Sequence, residues 1–403
     1  MPYHKLLEQH IRHGSLTLHF PDGRAQRFGH DDAPHAELIL RHPGALQRIM
    51  LDPEFMFGET YVDGDWDAPA GGLLTLFEVL MRNFPERVAK PPLWERLLRG
   101  LIRRGNTILH SYRNVAHHYD LDEWLFRRFL DQDMQYSCAY FYAPDINLEE
   151  AQRAKRQHIL HKLLLQPGQR VLDIGCGWGG LALHLAEHAG VHVTGLTLSR
   201  EQLRVAEARA RERGLSHAVE FRLQDYREHD GVYDRIVSVG MFEHVGRAHY
   251  PEYFARIHRL LHTDGSALLH TIGRYGPPGA TNPWIEKYIF PGGYNPALSE
   301  VSAVIERSGL VNCDTEVWRL HYAMTLAAWQ QRFQASRAEI AARMSERFVR
   351  MWEFYLAACE ATFRWRDLVV FQIQLAKRLD AVPVTRDYLY RGADETSHRV
   401  RVA

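Results

Sequence analysis

The ten residues VLDIGCGWGG (171–180) restrict this chain more than any other segment. An apolar run that reaches Asp173 and then breaks into glycines is a buried strand entering a tight turn, and the apolar residues behind it read as a helix. Glycine in such a turn permits positive φ and lets a ligand come close to the N–H groups at the helix N-terminus. The surrounding sequence repeats the alternation. RVLDIG, a helix to His188, VHVTGL, a helix over 199–214, VEFRL, DRIVSVG, a helix over 250–261 and SALLHTIG follow at the pace of βαβ units. That order predicts a doubly wound parallel sheet. VNCDTEVWRL and DLVVFQIQLAK read as two further strands, with a helical stretch rich in aromatic residues over 325–364 between them.

Ligands of such sheets sit outside the carboxyl ends of the strands. A dinucleotide enzyme places GxGxxG at this turn, whereas here Asp173 stands two residues before the first glycine and the spacing is GxGxG. The arrangement favours a nucleoside with an amino-acid tail, S-adenosylmethionine, over a pyrophosphate. Asp173, Gly175, Cys176, Gly177 and Gly179 are the candidate loop contacts. A ribose-binding acid is expected about 20 residues further on. The chain has instead Thr197, Leu198, Ser199 and Gln202, whose hydroxyl and amide groups can hold ribose and adenine edges. Asp225 and Tyr226, after the third strand, can clamp the adenine. Each of these, taken alone, also reads as an ordinary surface polar residue.

The first 80 residues mix a helix over 2–13, an alternating strand SLTLHF closed by PDG, a second strand AELIL and helical pieces, a small α+β unit. FGETYVDGDWDAPAGG, acidic and glycine-rich, reads as a solvated loop. Prolines in FPERVAKPPLWERLLRGLIRRGN mark a boundary before a helix beginning near Leu93. Leu93, Trp94, Leu97, Leu98, Leu101 and Ile102 fall on one stripe of it, with Arg96, Arg99, Arg103 and Arg104 on the other faces. This is the pattern of a basic amphipathic helix lying in a bilayer interface, and also of an interdomain or dimer helix with a solvated charged face. GRYGPPGATNPWIEKYIFPGGYNP (273–296) reads as a long loop over the sheet or as a lid at the substrate mouth.

Charge refines these readings. The 49 basic residues equal the 49 acidic ones, which excludes a uniformly basic, nucleic-acid-binding chain. Yet residues 1–80 sum to −6 and residues 81–110 to +5, so the balance is a sum of unlike parts. The 43 arginines against 6 lysines fit a GC-rich genome more simply than phosphate recognition. No apolar run reaches the roughly 18 residues of a membrane span, and the first residues lack the apolar stretch of a secretory signal. Cys138, Cys176, Cys313 and Cys359 show neither CxxC pairing nor a disulfide spacing. A reducing cytoplasm fits them, and a structural zinc site does not.

YSCAYF (136–141), VLDIGCGWGG, VTGLTLSREQ, LQDYR, DRIVSVGMFEHVG, LLHTIG, NPWIEKYIFPGG and FYLAACEATFR occur in this order. Through them the sequence resembles the cyclopropane-fatty-acyl-phospholipid synthases, relatives of the mycolic acid cyclopropane synthases, from about Phe57 to Lys377. GSLTLHFPDG and FGETYVDGDWD resemble the extra N-terminal domain of the bacterial phospholipid enzymes. The resemblance implies an α/β fold: a class I methyltransferase, Rossmann-like and doubly wound with an antiparallel last strand and a helical insert, plus a small N-terminal α+β domain. It implies S-adenosylmethionine as co-substrate and a cyclopropane closed on a cis double bond of a membrane phospholipid, through a carbocation deprotonated by bound bicarbonate. The residues matching the bicarbonate holders are Cys138, Glu243, His270, the backbone of Ile272, and Tyr322; Tyr136 and Ser137 match cofactor contacts. By themselves, Cys138 reads as a buried apolar residue and His270 as a satisfied core histidine. Cys359 lies in a motif that lines the acyl pocket, where the family more often has glycine at the position of Thr362. The mechanism needs no thiol nucleophile, which makes Cys359 pocket packing.

The expected division is an N-terminal lipid- or partner-docking domain (1–83), a basic amphipathic linker (84–110), the catalytic domain (111–380) and a tail (381–403). The family further implies a homodimer, cytoplasmic and peripherally bound at the inner face of the membrane, with no nucleic-acid partner. A related lipid C-methyltransferase making a methyl-branched or methylene fatty acid, a small-molecule methyltransferase, and a non-catalytic lipid-binding protein are the alternatives.

Overall fold

The computed structural model describes residues 3–69, 71–84 and 123–390; elements are numbered among these. Helix α1 (Tyr3–His10) leads into β1 (Ser15–His19), β2 (Ala25–Gly29) and β3 (His35–Leu40). Alternation buries Leu16 and Leu18 of β1 and Ala36, Leu38 and Leu40 of β3 on one face. β1 pairs antiparallel with β2 and parallel with β3. β2 carries no apolar period, since its AQRFG buries only Phe28, and the sequence did not announce it. Helices α2 (Ala45–Leu51) and α3 (Pro53–Val62), the two-residue β4 (Trp66–Asp67) and α4 (Gly72–Asn83) complete this unit.

The solvated loop expected over FGETYVDGDWDAPAGG is corrected here. Asp52 caps α3 by accepting from Phe55 N–H, and Pro53 pre-sets the first turn. Trp66 is wholly buried, its indole N–H donating to Thr60 Oγ1 at 3.0 Å. The acids that made the stretch look solvated meet arginines from elsewhere: Asp63 and Asp65 pair with Arg48, and Asp67 with Arg41 and Arg350.

The second part runs α5 (Glu123–Phe129), α6 (Leu148–Leu163), β5 (Arg170–Ile174), α7 (Gly180–Ala189), β6 (His192–Thr197), α8 (Arg200–Glu212), β7 (Val219–Leu223) and β8 (Tyr233–Val239). It continues with α9 (Tyr250–Leu260), β9 (Leu261–Arg274), α10 (Pro283–Tyr288), α11 (Leu298–Ile305), β10 (Val311–Trp318), α12 (His321–Ala335), α13 (Arg337–Arg343), α14 (Glu346–Trp365) and β11 (Leu368–Ala376). The sheet order is β10-β11-β9-β8-β5-β6-β7. Five neighbouring strands are parallel, and the last strand in sequence, β11, inserts antiparallel between β9 and β10. Chain order reverses between β5 and β8, the place where such sheets open a ligand crevice. Apolar residues of α6, α7 and α8 cover one face and those of α9 and α11 the other.

The expected helical stretch over 325–364 is three helices, with Ser345 capping α14 through Phe348 N–H. α14 also joins the two parts of the chain. Its Phe354 packs against Phe57, Phe77 and Trp284 at centroid distances of 5.9, 5.2 and 4.8 Å. Arg350 donates to Tyr61 O, Asp67 Oδ1 and Trp66 O at 2.7, 2.7 and 2.8 Å. The segment 273–296 is more than a loop: Asn282 caps α10, whose Trp284 is buried and whose Tyr288 hydroxyl donates to Glu59 of α3 at 2.8 Å. The amphipathic helix expected from Leu93, most of the 84–110 linker and residues 391–403 of the tail lie outside the described residues. Among those described, no helix is long and apolar enough to cross a membrane.

Candidate active site

β5 delivers Asp173 to the crevice, and Gly175, Gly177 and Gly179 turn the chain into α7 with φ of +82°, +53° and +81°. The N–H groups of Gly175 and Cys176 donate to Leu196 O of β6 at 3.0 and 2.9 Å, which ties the turn to the sheet. The glycines differ in purpose. A Cβ on Gly177 would meet nothing within 4 Å, whereas one on Gly179 would lie 2.8 Å from Phe221 and 2.9 Å from Ala206. Gly177 therefore faces the cleft, and Gly179 permits helix-to-sheet packing.

Eleven of the thirteen expected cofactor residues line the cleft: Tyr136 and Ser137; Asp173, Gly175, Cys176 and Gly177; Thr197, Leu198 and Gln202; Asp225 and Tyr226. Gly179 and Ser199 do not. Ser199 is spent capping α8, accepting from Gln202 N–H at 3.2 Å. Thr197 Oγ1 donates to Gln202 Oε1 at 2.9 Å, and the Asp225 carboxylate is held by Arg227 at 2.7 Å. Asp173 is buried with Oδ2 unpartnered, and burial raises its pKa to about 7. The lining also includes Gln135, Met241, His244 and Pro291, which sequence reasoning missed. Gln135 adjoins YSCAYF, and Met241 and His244 lie within DRIVSVGMFEHVG; Pro291 arrives from the segment after α10.

The strand-free stretch before Cys138 is held from below by α6. Gln152 Nε2 donates to Gln135 O and Ser137 O at 3.2 and 2.9 Å. Lys155, fully buried, donates from Nζ to Gln135 Oε1 and Ser137 Oγ, each at 2.8 Å. Asp133 pairs with Arg156 of α6 and with Arg209 of α8.

The expected reaction residues gather beside this cleft with one division. β8 leaves β9 after the Val239–His270 pair, and Gly240 N–H still donates to His270 O at 2.9 Å. The next edge N–H, Ile272, has lost its strand partner and donates instead to Glu243 Oε1 at 2.6 Å. Ile272 thus holds the carboxylate, and its N–H is not free for an anion. Glu243 Oε2 is buried and unpartnered, and burial raises the group to about 7. The Tyr322 hydroxyl lies near enough to Tyr136, Cys138, Glu243 and Cys359 that each adds to the burial that raises its pKa. Burial pushes the Cys138 thiol up and Cys359 to about 12, so both are protonated. Neither is poised as a nucleophile.

His270 stands slightly apart. Its ring meets Trp318 edge-on at 5.2 Å, and Gln372 Nε2 donates to its Nδ1 at 3.1 Å. Burial, then the charges of Lys155 and Lys162, holds it well below the ordinary histidine range, and it is neutral. With Nδ1 accepting, the ring proton sits on Nε2. None of its hydrogen bonds among the described residues reaches Glu243, Cys138 or Tyr322. Aromatic rings close the space between: Tyr136 donates to or accepts from Tyr355 at 2.7 Å and stacks on Trp329 at 5.2 Å, and Tyr322 lies 4.8 Å from Phe363.

Comparison with known proteins identifies the family. A family model described as mycolic acid cyclopropane synthetase matches residues 107–373, and one described as a domain of unknown function matches residues 2–86. The chain is 41% identical to the cyclopropane-fatty-acyl-phospholipid synthase of Escherichia coli, over 86% of this chain and 89% of that one. It is 37% identical to the tuberculostearic acid methyltransferase UfaA1 of Mycobacterium tuberculosis, over 93% and 90%. The structure of mycolic acid cyclopropane synthase CmaA1 complexed with SAH and CTAB covers 66% of this chain and 97% of its own at TM-score 0.62 and 36% identity. With the glycine turn, the inserted antiparallel strand and the matched span together, the chain belongs to the mycolic acid cyclopropane synthetase family.

Proposed function

We propose that the protein transfers a methylene from S-adenosylmethionine to the cis double bond of an unsaturated acyl chain in membrane phospholipid, forming a cyclopropane fatty acid. The observation that carries this is a buried carboxylate with one orphaned oxygen, Glu243, set among protonated thiols and aromatic rings beside the cofactor cleft. The alkene's electron pair bonds to the sulfonium methyl carbon as the sulfur–carbon bond breaks. The charge then sits on the other alkene carbon, and loss of a proton from the new methyl closes the ring. An alkene is a weak nucleophile, so the site's contributions are alignment, exclusion of water and π-faces turned to the cation. Tyr136, Tyr322, Tyr355 and Phe363 supply those faces.

The ring-closing proton needs an acceptor, and the donor set fits bicarbonate. Glu243 Oε2 accepts an O–H, while the Nε2–H of His270 and the Tyr322 hydroxyl donate. Bound there, bicarbonate supplies the base. Glu243 itself is held by Ile272 N–H, which keeps its free oxygen aimed inward. Cys359 packs the acyl pocket as a neutral thiol. The enzyme works as a homodimer, peripherally bound at the inner face of the membrane, with residues 1–83 docking to lipid or a partner and 84–110 as a basic amphipathic linker.

A second reading keeps the transfer and changes its ending: the cation loses a proton elsewhere and leaves a methyl-branched or methylene chain. Identity to UfaA1 over 93% of the chain favours keeping it in view. The test is incubation with methyl-labelled S-adenosylmethionine, with and without liposomes of unsaturated phospholipid and with and without bicarbonate. Label enters lipid and bicarbonate accelerates it. Label entering only soluble acceptors contradicts the proposal, and cofactor binding with no turnover restores the non-catalytic alternative.

A further inference from the structure

Lys155 has no part in the chemistry above, yet it is fully buried and bonded to two residues that line the cofactor cleft. Its position on α6 puts Nζ under the strap that carries Gln135, Tyr136 and Ser137. An isolated ammonium in an apolar interior is costly, and proteins keep one where its charge or its bonds are used. Burial lowers its pKa only to about 8, opposed by Asp131, Cys138 and Asp173, so it stays charged at neutral pH.

The bonding pattern shows what that charge sets. An ammonium has three donors and no acceptor. Both oxygens it meets, Gln135 Oε1 and Ser137 Oγ, are therefore acceptors in these contacts. Ser137 keeps its own hydroxyl hydrogen to give elsewhere, and the Gln135 amide presents its NH₂ away from Lys155. Both residues line the cleft, and the Gln135 amide nitrogen lies over Gly180, at the N-terminus of the ten-residue helix α7. Two side-chain donors of the cleft lining thus share one buried positive charge, with Ser137 beside Gly240 at the end of β8. The same cleft holds the opposite feature: Asp173 Oδ2, buried and unpartnered. An acceptor and a cluster of donors in one cleft are complementary to the two ends of a zwitterionic amino acid.

We infer that Lys155 is a positioning residue that fixes Ser137 and Gln135 as hydrogen-bond donors to the carboxylate of the cofactor's amino-acid tail, opposite Asp173, which receives its ammonium group. This rests on S-adenosylmethionine being the cofactor. Lys155 acts through its two partners and by its field, and aligns the sulfonium methyl by holding the tail that carries it.

The test compares two ligands that differ only in the carboxylate: S-adenosylhomocysteine and its decarboxylated analogue, S-adenosyl-3-thiopropylamine. Calorimetry is run on the wild-type chain, Lys155→Met, which keeps length without charge, and Ser137→Ala. Lys155→Met should lose roughly 10- to 100-fold in affinity for S-adenosylhomocysteine, as expected for a lost charge-assisted bond, while the decarboxylated analogue binds as before. Ser137→Ala should show the same selectivity with a smaller loss. Undiminished binding of the analogue also reports an intact cleft. Equal losses for both ligands make Lys155 merely structural and overturn the inference. So does an unchanged ratio accompanied by a raised bicarbonate requirement for turnover, which would assign the ammonium to the other anion. Failure of S-adenosylhomocysteine to bind the wild-type chain sinks the cofactor assignment itself, a separate result.

Discussion

The role proposed for Glu243 comes at the expense of the fold. Its carboxylate is buried, with Oε1 accepting from Ile272 N–H, and burial raises its pKa to about 7 against 4.5 unperturbed. The folded chain therefore binds this proton more tightly than the unfolded one, and stability contributed at this site falls as pH rises from about 4.5 to about 7. Glu243→Gln removes that loss. We expect a higher melting temperature at pH 8, by about 1–3 kcal/mol of stability, and no gain near pH 4.5, read by thermal denaturation at both. Function moves the other way: S-adenosylhomocysteine binding is retained while turnover falls roughly 100- to 1,000-fold. Wild-type kcat/KM should rise through about pH 7 as the carboxylate ionises, and the variant should lack that limb. A variant as active as the wild type would remove Glu243 from the site.

Among elements, the strand–turn–helix at 171–180 is the most readable because its signal is local: the apolar run, the glycines and the helix lie within one span of chain. Even so, spacing alone could not divide the glycines. Gly177→Ala should fold with a modest cost for its positive φ, about 1 kcal/mol, and lose cofactor affinity, since its methyl would enter open cleft. Gly179→Ala should destabilise the chain by about 2 kcal/mol or more, because its methyl would press on Phe221 and Ala206. Denaturant melts paired with calorimetry separate the two; the reverse pattern would mean that the turn is misassigned. α6 was unreadable for the opposite reason. Its buried residues include Gln152, Lys155, Arg156, His158 and Lys162, so polar side chains occupy the face that periodicity expects to be apolar. What justifies their burial is bonded partners far along the sequence, such as Glu316 of β10 beneath His158 and Lys162. Gln372 was invisible likewise, because only the β9–β11 register sets it against His270. The acidic stretch at 57–72 misled through charge, its arginine partners being supplied by α2, α14 and the end of β3.

At the scale of the molecule, formal neutrality hides an uneven distribution: −6 over residues 1–80 and +5 over residues 81–110. The chain also has 24 histidines, with a reference pKa of about 6.5. Burial keeps His184, His244 and His270 neutral well below that value, so the gain in charge on acidification falls to the remainder. Binding to anionic liposomes should strengthen from pH 8 to pH 6 and weaken with added salt, measured by co-sedimentation. Binding indifferent to both would leave the segregated charge without a membrane role. The two parts of the chain share a core through α14, where Phe354 and Arg350 meet α3, β4 and α4. Glu59 reaches from α3 to Tyr288 of α10, and the chain after α10 brings Pro291 to the cofactor cleft. The N-terminal unit is thus in contact with a wall of the site.

The central claim concerns how the carbocation ends, and the structure of the product decides it. Lipid recovered from liposomes of a cis-monounsaturated phospholipid, after turnover with ¹³C-methyl S-adenosylmethionine, should carry the label as a ring CH₂ in the NMR spectrum, with the alkene signals gone. Label in an exomethylene or a branched methyl group, as the main product, would contradict the account.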